Sequence, residues 1–386
     1  MRSLRVALRI ASVRLGFALG RRRQQRHRVL LATSHLDHLS GNLALLRDDL
    51  ARRHPEIERL EIAHRPRGGI LGRLGALVEE GRAGYRLARS RMIVVDDYYF
   101  PIYVIRPRPG TTIMQVWHAC GAFKQFGYSV RDKTFGADDA LLRRVPIHAN
   151  YDICLVSSLA LAPHYAEAFD LPQERFRSDL GIPRTDVFRD EGRMPAVAAE
   201  VRARYAIPPG KRIILYAPTF RGDSVGAARA DGLADFAVLR EALGADHVLL
   251  VRLHPFIRRG LDLSGLADFA IDVTAHPEIN ELLLAADVLV TDYSSVIFEY
   301  ALLGRPMVFF APDLDAYERE RGFYFDYRSG VPGPVVETSA ALAAALRWPA
   351  DDVARVVAFA RRSFDVADGG ATRRVVDQII LPAVDG

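Results

Sequence analysis

The chain has 386 residues, of which 49% are hydrophobic and 26% are charged. These fractions exclude global disorder, and the length favours two globular domains over one. No stretch of about 18 or more apolar residues occurs, so the sequence predicts no transmembrane helix. The two cysteines, Cys120 and Cys154, exclude a disulfide scaffold and fit a reducing compartment.

The positive charge is concentrated at the beginning of the chain. Residues 1–28 contain nine arginines and no acidic residue, whereas the whole chain has a net charge of only +5. The remainder is therefore net negative, which argues against a nucleic-acid groove across the fold.

A basic amphipathic helix is predicted over residues 1–27. Apolar residues recur at spacings of three and four on one face of this helix, and arginines occupy another face. The apolar positions are Leu4, Leu8, Ala11, Leu15 and Leu19. Such a helix can lie on an anionic membrane surface, where each arginine contributes about 1 kcal/mol, or it can pack on its own protein. Arginines interrupt every apolar stretch, which excludes a secretory signal.

After the basic helix, short β-branched runs alternate with longer stretches of helical spacing such as Leu39–Arg53 and Ile279–Ala286. The predicted strands are Val29–Thr33, Met92–Asp96, Ile113–Trp117, Ile153–Ser157, Ile213–Ala217, Val248–Arg252, Val288–Thr291 and Met307–Phe310. Apolar strands separated by helices predict parallel sheets covered on both faces, as in doubly wound α/β folds.

The alternation breaks at residues 189–210, where turn-forming residues flank a polar helix. We therefore predict an N-terminal α/β domain over residues 28–195 and a C-terminal α/β domain over residues 205–350. The stretch 351–386 is predicted to be helical, with a helix over 351–380.

Two histidines follow predicted strands, where ligands bind in open parallel sheets. His118 opens a glycine-containing loop and suits a general base, because imidazole changes its charge near neutral pH. His254 could donate a hydrogen bond to a phosphate. Each histidine could instead be structural.

Two arginines and the beginning of one helix lie at the ends of predicted strands, and all of them suit a phosphate ligand. Arg184 and Arg221 lie in proline-containing loops and could bind phosphate oxygens, or pair with a neighbouring aspartate. Ser294 and Ser295 precede a helix, whose first N–H groups attract anions; their hydroxyls could also simply cap it.

The sequence lacks the motifs of several other classes. There is no Walker loop and no Gly-x-Gly-x-x-Gly after a strand, which argues against an NTPase and a nicotinamide dehydrogenase. Asp292 alone is weak evidence for magnesium, so we expect neither a metal nor a cofactor. Cationic side chains and a helix dipole could stabilise a leaving phosphate instead.

Together these motifs resemble the CDP-glycerol glycerophosphotransferase family of teichoic-acid-type polymer synthesis. The resemblance covers roughly residues 90–330. The matching segments are Trp117–Lys124, Gly181–Asp186, Tyr216–Arg221, Arg252–Pro255 and the run Asp272–Asp326, which contains Thr-Asp-Tyr-Ser-Ser at 291–295.

The resemblance implies a GT-B-like fold in which two Rossmann-like domains face each other across a cleft. The N-terminal domain would meet the acceptor, with His118 as the base. The C-terminal domain would hold the CDP-activated donor, with His254 at its phosphates. The implied substrate-binding residues are Gly121, Lys124, Arg184, Pro218, Thr219, Arg221, Arg252, Ser294, Ser295 and Glu299.

We therefore expect a peripheral enzyme on the cytoplasmic face of the cell membrane, with an anionic membrane surface but no nucleic acid as a partner. It would transfer glycerol phosphate, or ribitol phosphate, from a CDP-polyol to a hydroxyl of a lipid-linked or polymer acceptor and release CMP. The alternatives are a GT-B glycosyltransferase with a nucleotide-sugar donor and a catalytically silent nucleotide-binding module.

Overall fold

The computed structural model describes most of the chain. The described residues are 2–23, 25–34, 36–63, 69–131, 139–221, 232–254, 257, 261–347 and 353–385.

Twelve strands are present in the described residues. They are β1 (Arg26–Thr33), β2 (Glu58–Ala63), β3 (Ser90–Val95), β4 (Thr112–Gln115), β5 (Ile153–Leu155), β6 (Phe176–Arg177), β7 (Arg212–Ala217), β8 (His247–Val251), β9 (Ala270–Asp272), β10 (Val288–Thr291), β11 (Met307–Phe310) and β12 (Val335–Val336).

Helices connect and cover these strands. They are α1 (Arg2–Arg21), α2 (Gly41–Arg53), α3 (Gly69–Leu87), α4 (Phe100–Tyr103), α5 (Asp139–Arg144), α6 (Ala162–Phe169), α7 (Met194–Arg204), α8 (Phe236–Leu243), α9 (Ile279–Ala285), α10 (Val296–Ala301), α11 (Leu314–Arg321), α12 (Tyr327–Gly330), α13 (Ser339–Arg347), α14 (Val353–Ser363), α15 (Ala371–Val375) and α16 (Leu381–Asp385). Short 3₁₀ turns lie at Gly127–Val130, Leu159–Leu161, Gln173–Arg175 and Pro183–Phe188, and a π-helical turn lies at Val376–Ile380.

The strands form two parallel six-stranded sheets. The first has the order β2-β1-β3-β4-β5-β6, and the second has the order β12-β11-β10-β7-β8-β9. The direction in which successive strands are added reverses between β1 and β3 in the first sheet and between β7 and β10 in the second sheet. Ligands of doubly wound sheets bind at such switch points, beyond the carboxyl ends of the strands.

The eight predicted strands are all present, although several end earlier than predicted. The strand predicted to reach Trp117 ends at Gln115, and the one predicted to reach Ser157 ends at Leu155. The sequence analysis missed the four edge strands β2, β6, β9 and β12. Edge strands are short or partly exposed and lack the continuous apolar run that a buried strand shows.

One apolar cluster extends through both halves of the chain. It joins Leu43 and Met114 of the first half to Phe298 and Phe309 of the second, and all four are almost fully buried. Two further clusters lie on the outer faces of the sheets, one against α1 and the other against α8 and α13.

The end of the chain returns to the first half. Helix α14 packs on α10, α15 contacts α2, and α16 contacts β1 and β3. The single helix predicted over residues 351–380 is wrong, because it is interrupted after Ser363. Gly369, in the connection between α14 and α15, has a φ of +86°, a non-helical conformation that favours glycine.

Helix α1 packs closely on α3. A Cβ atom on Gly16 would lie 1.8 Å from the carbonyl oxygen of Gly81, so only glycine permits this approach. Val13 and Phe17 are buried in the contact, while Leu4, Leu8, Leu15 and Leu19 are 48–66% exposed. The leucine face that the sequence marked as apolar is thus not the face that packs on the protein.

In the described residues, no helix combines the length and apolarity that crossing a bilayer requires.

Candidate active site

His118 lies just after β4 in a sharply turned loop. The preceding Trp117 has a φ of +50°, which costs a non-glycine residue about 1–2 kcal/mol. Gln115 accepts a hydrogen bond from the Trp117 N–H at 2.8 Å, and Asn42 donates one to the Trp117 carbonyl at 2.7 Å. These bonds hold the turn, which leaves the imidazole of His118 half exposed.

Asp97 follows the neighbouring strand β3 and faces His118. Its Oδ2 atom lies 3.0 Å from Nδ1 of His118, and its side chain is almost fully buried. Its other oxygen accepts a hydrogen bond from the Tyr98 N–H. A carboxylate at this distance favours the imidazole tautomer with a proton on Nδ1, so that Nε2 can accept a proton.

Arg184 links the His118 loop to the second half of the chain. Its guanidinium donates from Nη1 to the His118 carbonyl, and its Nε lies 3.2 Å from Oε1 of Glu299. Its backbone N–H donates to Asn42 at 2.8 Å, and its carbonyl accepts from Asn280 at 3.4 Å. Arg184 therefore contacts groups from both halves of the chain.

Glu299 lies on α10 and is buried beside Arg184. Burial raises the pKa of Glu299, while the Arg184 guanidinium acts in the opposite direction. The buried Cys120 thiol also lies near this carboxylate, and burial raises the pKa of Cys120 well above its usual range. Arg184 and Glu299, each expected separately at the donor site, thus form a charge contact in a dry environment, where an unpaired charge is costly.

The loops after β7 and β10 meet at the switch point of the second sheet. Thr219 donates to Asp292 from its N–H at 2.8 Å and from its hydroxyl at 3.0 Å. Arg221 lies 2.9 Å from the same carboxylate and binds Asp313 through two nitrogens at 2.5 and 2.9 Å. Arg221 therefore pairs with aspartates. The sequence analysis had left this pairing open as the alternative to phosphate binding. Both oxygens of Asp292 are engaged as well.

Ser294 and Ser295 lie at the start of α10, one turn before Glu299. Both are half-buried. The Ser294 hydroxyl accepts a long 3.4 Å hydrogen bond from the Val296 N–H, and Ser295 makes no side-chain cap. The helix cap that the sequence analysis considered is thus a weak one, and the Ser294 hydroxyl provides it.

His254 and Arg252 follow β8, next to the loop after β7. The ring of His254 lies 4.8 Å from that of Phe220. Arg252 donates to the His276 carbonyl at 3.2 Å, and burial lowers the pKa of Arg252.

Three other predicted residues are placed by packing. Gly121 lies against α10, where a Cβ atom would come 2.2 Å from the ring of Phe298. Lys124 pairs with Phe323 in an isolated β-bridge. Pro218 is buried at the end of β7. All three lie in the loops that line the junction of the two halves.

Contacts and short stretches of chain connect several of the predicted residues in one series. The series runs from His118 through Arg184 to Glu299, back along α10 to Ser294, and from Asp292 through Thr219 to the neighbours of His254. Within the described part of the chain, no three His, Cys, Asp or Glu side chains gather in a way that could hold a metal ion.

The sequence analysis missed Asp97, Asn42 and Asp313. Asp97 carried a usable signal, because it directly follows a predicted strand as His118 does. Asn42 and Asp313 carried none, because their partners lie far away in the sequence.

Comparisons with known proteins identify relatives of this chain. Residues 16–381 match the family described as CDP-glycerol:poly(glycerophosphate) glycerophosphotransferase. The chain is 38% identical to the teichoic acid ribitol-phosphate primase of Bacillus spizizenii, over 92% of this chain and 91% of the primase. It is 37% identical to the teichoic acid poly(ribitol-phosphate) polymerase of that organism, over 92% of this chain but only 56% of the polymerase.

The fold is similar to that of a solved relative. A variant of the wall teichoic acid polymerase TagF soaked with CDPG superposes with a TM-score of 0.81 at 25% identity, over 98% of this chain and 94% of that chain. This similarity and the two parallel sheets confirm the predicted GT-B-like fold class.

Proposed function

Because the chain belongs to the CDP-glycerol:poly(glycerophosphate) glycerophosphotransferase family, we propose that it transfers a polyol phosphate from a CDP-polyol to a hydroxyl of a lipid-linked or polymer acceptor. The family predicted from the sequence motifs is thereby confirmed. The observation that carries the proposal is the link through Arg184 between the His118 loop and Glu299 of α10. It brings the proposed base and the serines proposed to bind the donor phosphates to one junction.

In this proposal His118 takes the proton of the acceptor hydroxyl at Nε2. The hydroxyl oxygen forms a bond to the polyol-bearing phosphorus of the donor. The bond from that phosphorus to the CMP oxygen breaks, and its electron pair leaves with CMP. Asp97 keeps the imidazole oriented and stabilises the positive charge that develops on it.

The second half of the chain binds the donor in this proposal. Arg184, Ser294 and Ser295 contact the pyrophosphate, and Glu299 holds Arg184 in place. His254, Arg252 and Thr219 line the remaining donor site. Arg221 acts through Asp292 and positions the loop after β7. Gly121 and Lys124 set the position of the His118 loop, and Pro218 sets the direction in which the chain leaves β7.

Glycerol phosphate is the transferred group in the family description. Ribitol phosphate is the second candidate, and it is favoured by the names of the two relatives that match 92% of this chain. CMP release measured with CDP-glycerol and with CDP-ribitol, each with a lipid-linked acceptor, decides between them. Release of a nucleoside diphosphate from a nucleotide sugar would instead indicate a glycosyltransferase, and no release would indicate a binding module.

The membrane surface is the proposed location, on its cytoplasmic face. The supporting observation is the exposed leucine face of α1. Leu74 and Val78 of α3, the helix that packs on α1, are also 58% and 55% exposed. Exposed apolar side chains flanked by arginines suit the interface of an anionic bilayer. Vesicle co-sedimentation of a Leu15→Ser/Leu19→Ser variant tests this, and binding equal to that of the wild type would refute it.

A further inference from the structure

A basic pocket lies apart from the contact series of the candidate active site. It has a volume of about 600 Å³ and lies between the second half of α1, the segment after α4 and the end of α5. Phe17, Tyr103 and Ile105 contribute apolar walls. Five arginines line it, namely Arg14, Arg21, Arg106, Arg143 and Arg144. None of the described residues that line it is acidic.

At least three of these arginines have no carboxylate partner among the residues that the structure describes. The Nε of Arg14 donates to the Val104 carbonyl at 2.9 Å, which fixes this side chain at the wall. Arg21, Arg106 and Arg143 form no ion pair with any residue that the structure describes. Arg9 on the same helix, by contrast, pairs with Glu80 at 2.5 Å. Like charges around a cavity repel one another, so an anion that enters would relieve this repulsion.

The chemistry of the pocket suits a phosphate group. Guanidinium groups bind phosphate oxygens in a forked, charge-assisted geometry. The volume lies within the roughly 300–1,000 Å³ range of small-molecule sites. The apolar walls would accept the carbon skeleton next to the phosphate.

The position of the pocket indicates that the phosphate belongs to a lipid. Arg14, Ala18 and Arg21 share one face of α1 by their spacing of three and four residues. Leu15 directly follows Arg14 and Leu19 directly follows Ala18, and these leucines are 64% and 48% exposed. The pocket therefore adjoins the leucine face that would contact acyl chains.

We propose that this pocket binds the phosphate headgroup of an anionic membrane phospholipid. The proposal rests on the membrane association proposed above. It assigns a specific headgroup site to a surface that would otherwise attract anionic lipid only by its general charge.

A water-soluble short-chain phosphatidylglycerol tests the pocket without a membrane. We expect the full chain to bind this lipid at one site by calorimetric titration, and an Arg106→Gln/Arg143→Gln variant to bind it at least tenfold more weakly. An Arg5→Gln/Arg22→Gln variant is the matched control, because it loses the same charge near α1 outside the pocket. It should bind as the wild type does. Equal weakening in both variants, or no saturable binding to the wild type, would overturn the proposal.

Inorganic phosphate is the competing source of the same chemistry. It should bind at least tenfold more weakly than the short-chain lipid, and equal binding would overturn the lipid assignment. CMP release with a soluble acceptor separates this proposal from the enzymatic one. It should be the same in the pocket variant and the wild type, and a pocket variant that loses it would show that the arginines do not form a separate lipid site. If the wild type itself releases no CMP, the enzymatic proposal fails while the lipid titration still decides the pocket.

Discussion

Replacing Asp97 by asparagine should slow the chemical step without weakening donor binding. The change keeps the size of the side chain but removes the negative charge 3.0 Å from Nδ1 of His118. An amide can also present its NH₂ group to Nδ1, which would favour the wrong imidazole tautomer.

The size of the effect follows from the distance and the exposure. At 3.0 Å the attraction between two unit charges is about 1.4 kcal/mol at the dielectric constant of water, and about 5.5 kcal/mol at an effective value near 20. The imidazole is half exposed, so the lower end applies, although the carboxylate itself is buried. We therefore expect kcat to fall roughly 10- to 100-fold, within the range that general base catalysis supplies.

Steady-state CMP release measures this effect, with kcat and the KM for the donor determined separately. Asp97→Glu should recover part of kcat, because it restores the charge. Asp179→Asn, which changes an exposed carboxylate paired with Arg177, is the control and should retain nearly normal kcat. A normal kcat in Asp97→Asn, or a loss confined to the KM for the donor, would refute the role of Asp97 in orienting His118.

Three further predictions concern stability. Gly121→Ala should lower the free energy of unfolding by about 1–3 kcal/mol in urea titration, because its Cβ would lie 2.2 Å from the Phe298 ring; Phe298→Leu in the same chain should recover part of the loss. Arg184→Ala should cost about 3–5 kcal/mol by leaving Glu299 buried without a countercharge, and adding Glu299→Gln should reduce that cost; equal stability of the single and double variants would contradict the pairing. Burial lowers the pKa of His148 to about 3, so between pH 3 and 6.5 the unfolded chain binds a proton that the folded chain does not. The free energy of unfolding should therefore fall as the pH falls through this window, by roughly 4–5 kcal/mol in all. His148→Asn should flatten this pH dependence, and an unchanged slope would show that His148 is not responsible.

The inner strands could be predicted from the sequence because their burial requires continuous apolar runs. Strands such as β3 and β10 are buried along almost their entire length. Their carboxyl ends then indicated which loops carry the site, since parallel strands bring these ends to one edge. The same reasoning applied to Asp97 would have found the partner of His118.

Pairwise contacts across the fold could not be predicted in this way. Arg221 and Asp313 are 92 residues apart, and Arg184 and Asn42 are 142 residues apart. A single sequence shows that an arginine lies in a loop, but the nearest carboxylate decides whether it is available to a ligand. This is why the sequence left two interpretations of Arg221 open.

Helix α1 shows a different limit of sequence patterns. It has two apolar faces, and the stronger periodic signal came from the leucines. The protein instead packs the face that contains Val13, Gly16 and Phe17. Glycine adds little to an apolar pattern, but it allows two helices to approach closely enough for dense packing.

In the proposed mechanism, the junction of the two halves brings the base of one half to the donor held by the other. The loop that follows His118 is hydrogen-bonded to the second half, from Gln125 to the Gly322 carbonyl and from Tyr324 to the Phe123 carbonyl, both at 3.1 Å. The ring of Phe123 also stacks on that of Phe325 at 5.2 Å. These contacts attach the His118 loop to the half that carries Ser294 and Ser295. In the proposed mechanism, the distance between base and donor would therefore be set locally at this junction and would depend less on the relative orientation of the two sheets as a whole.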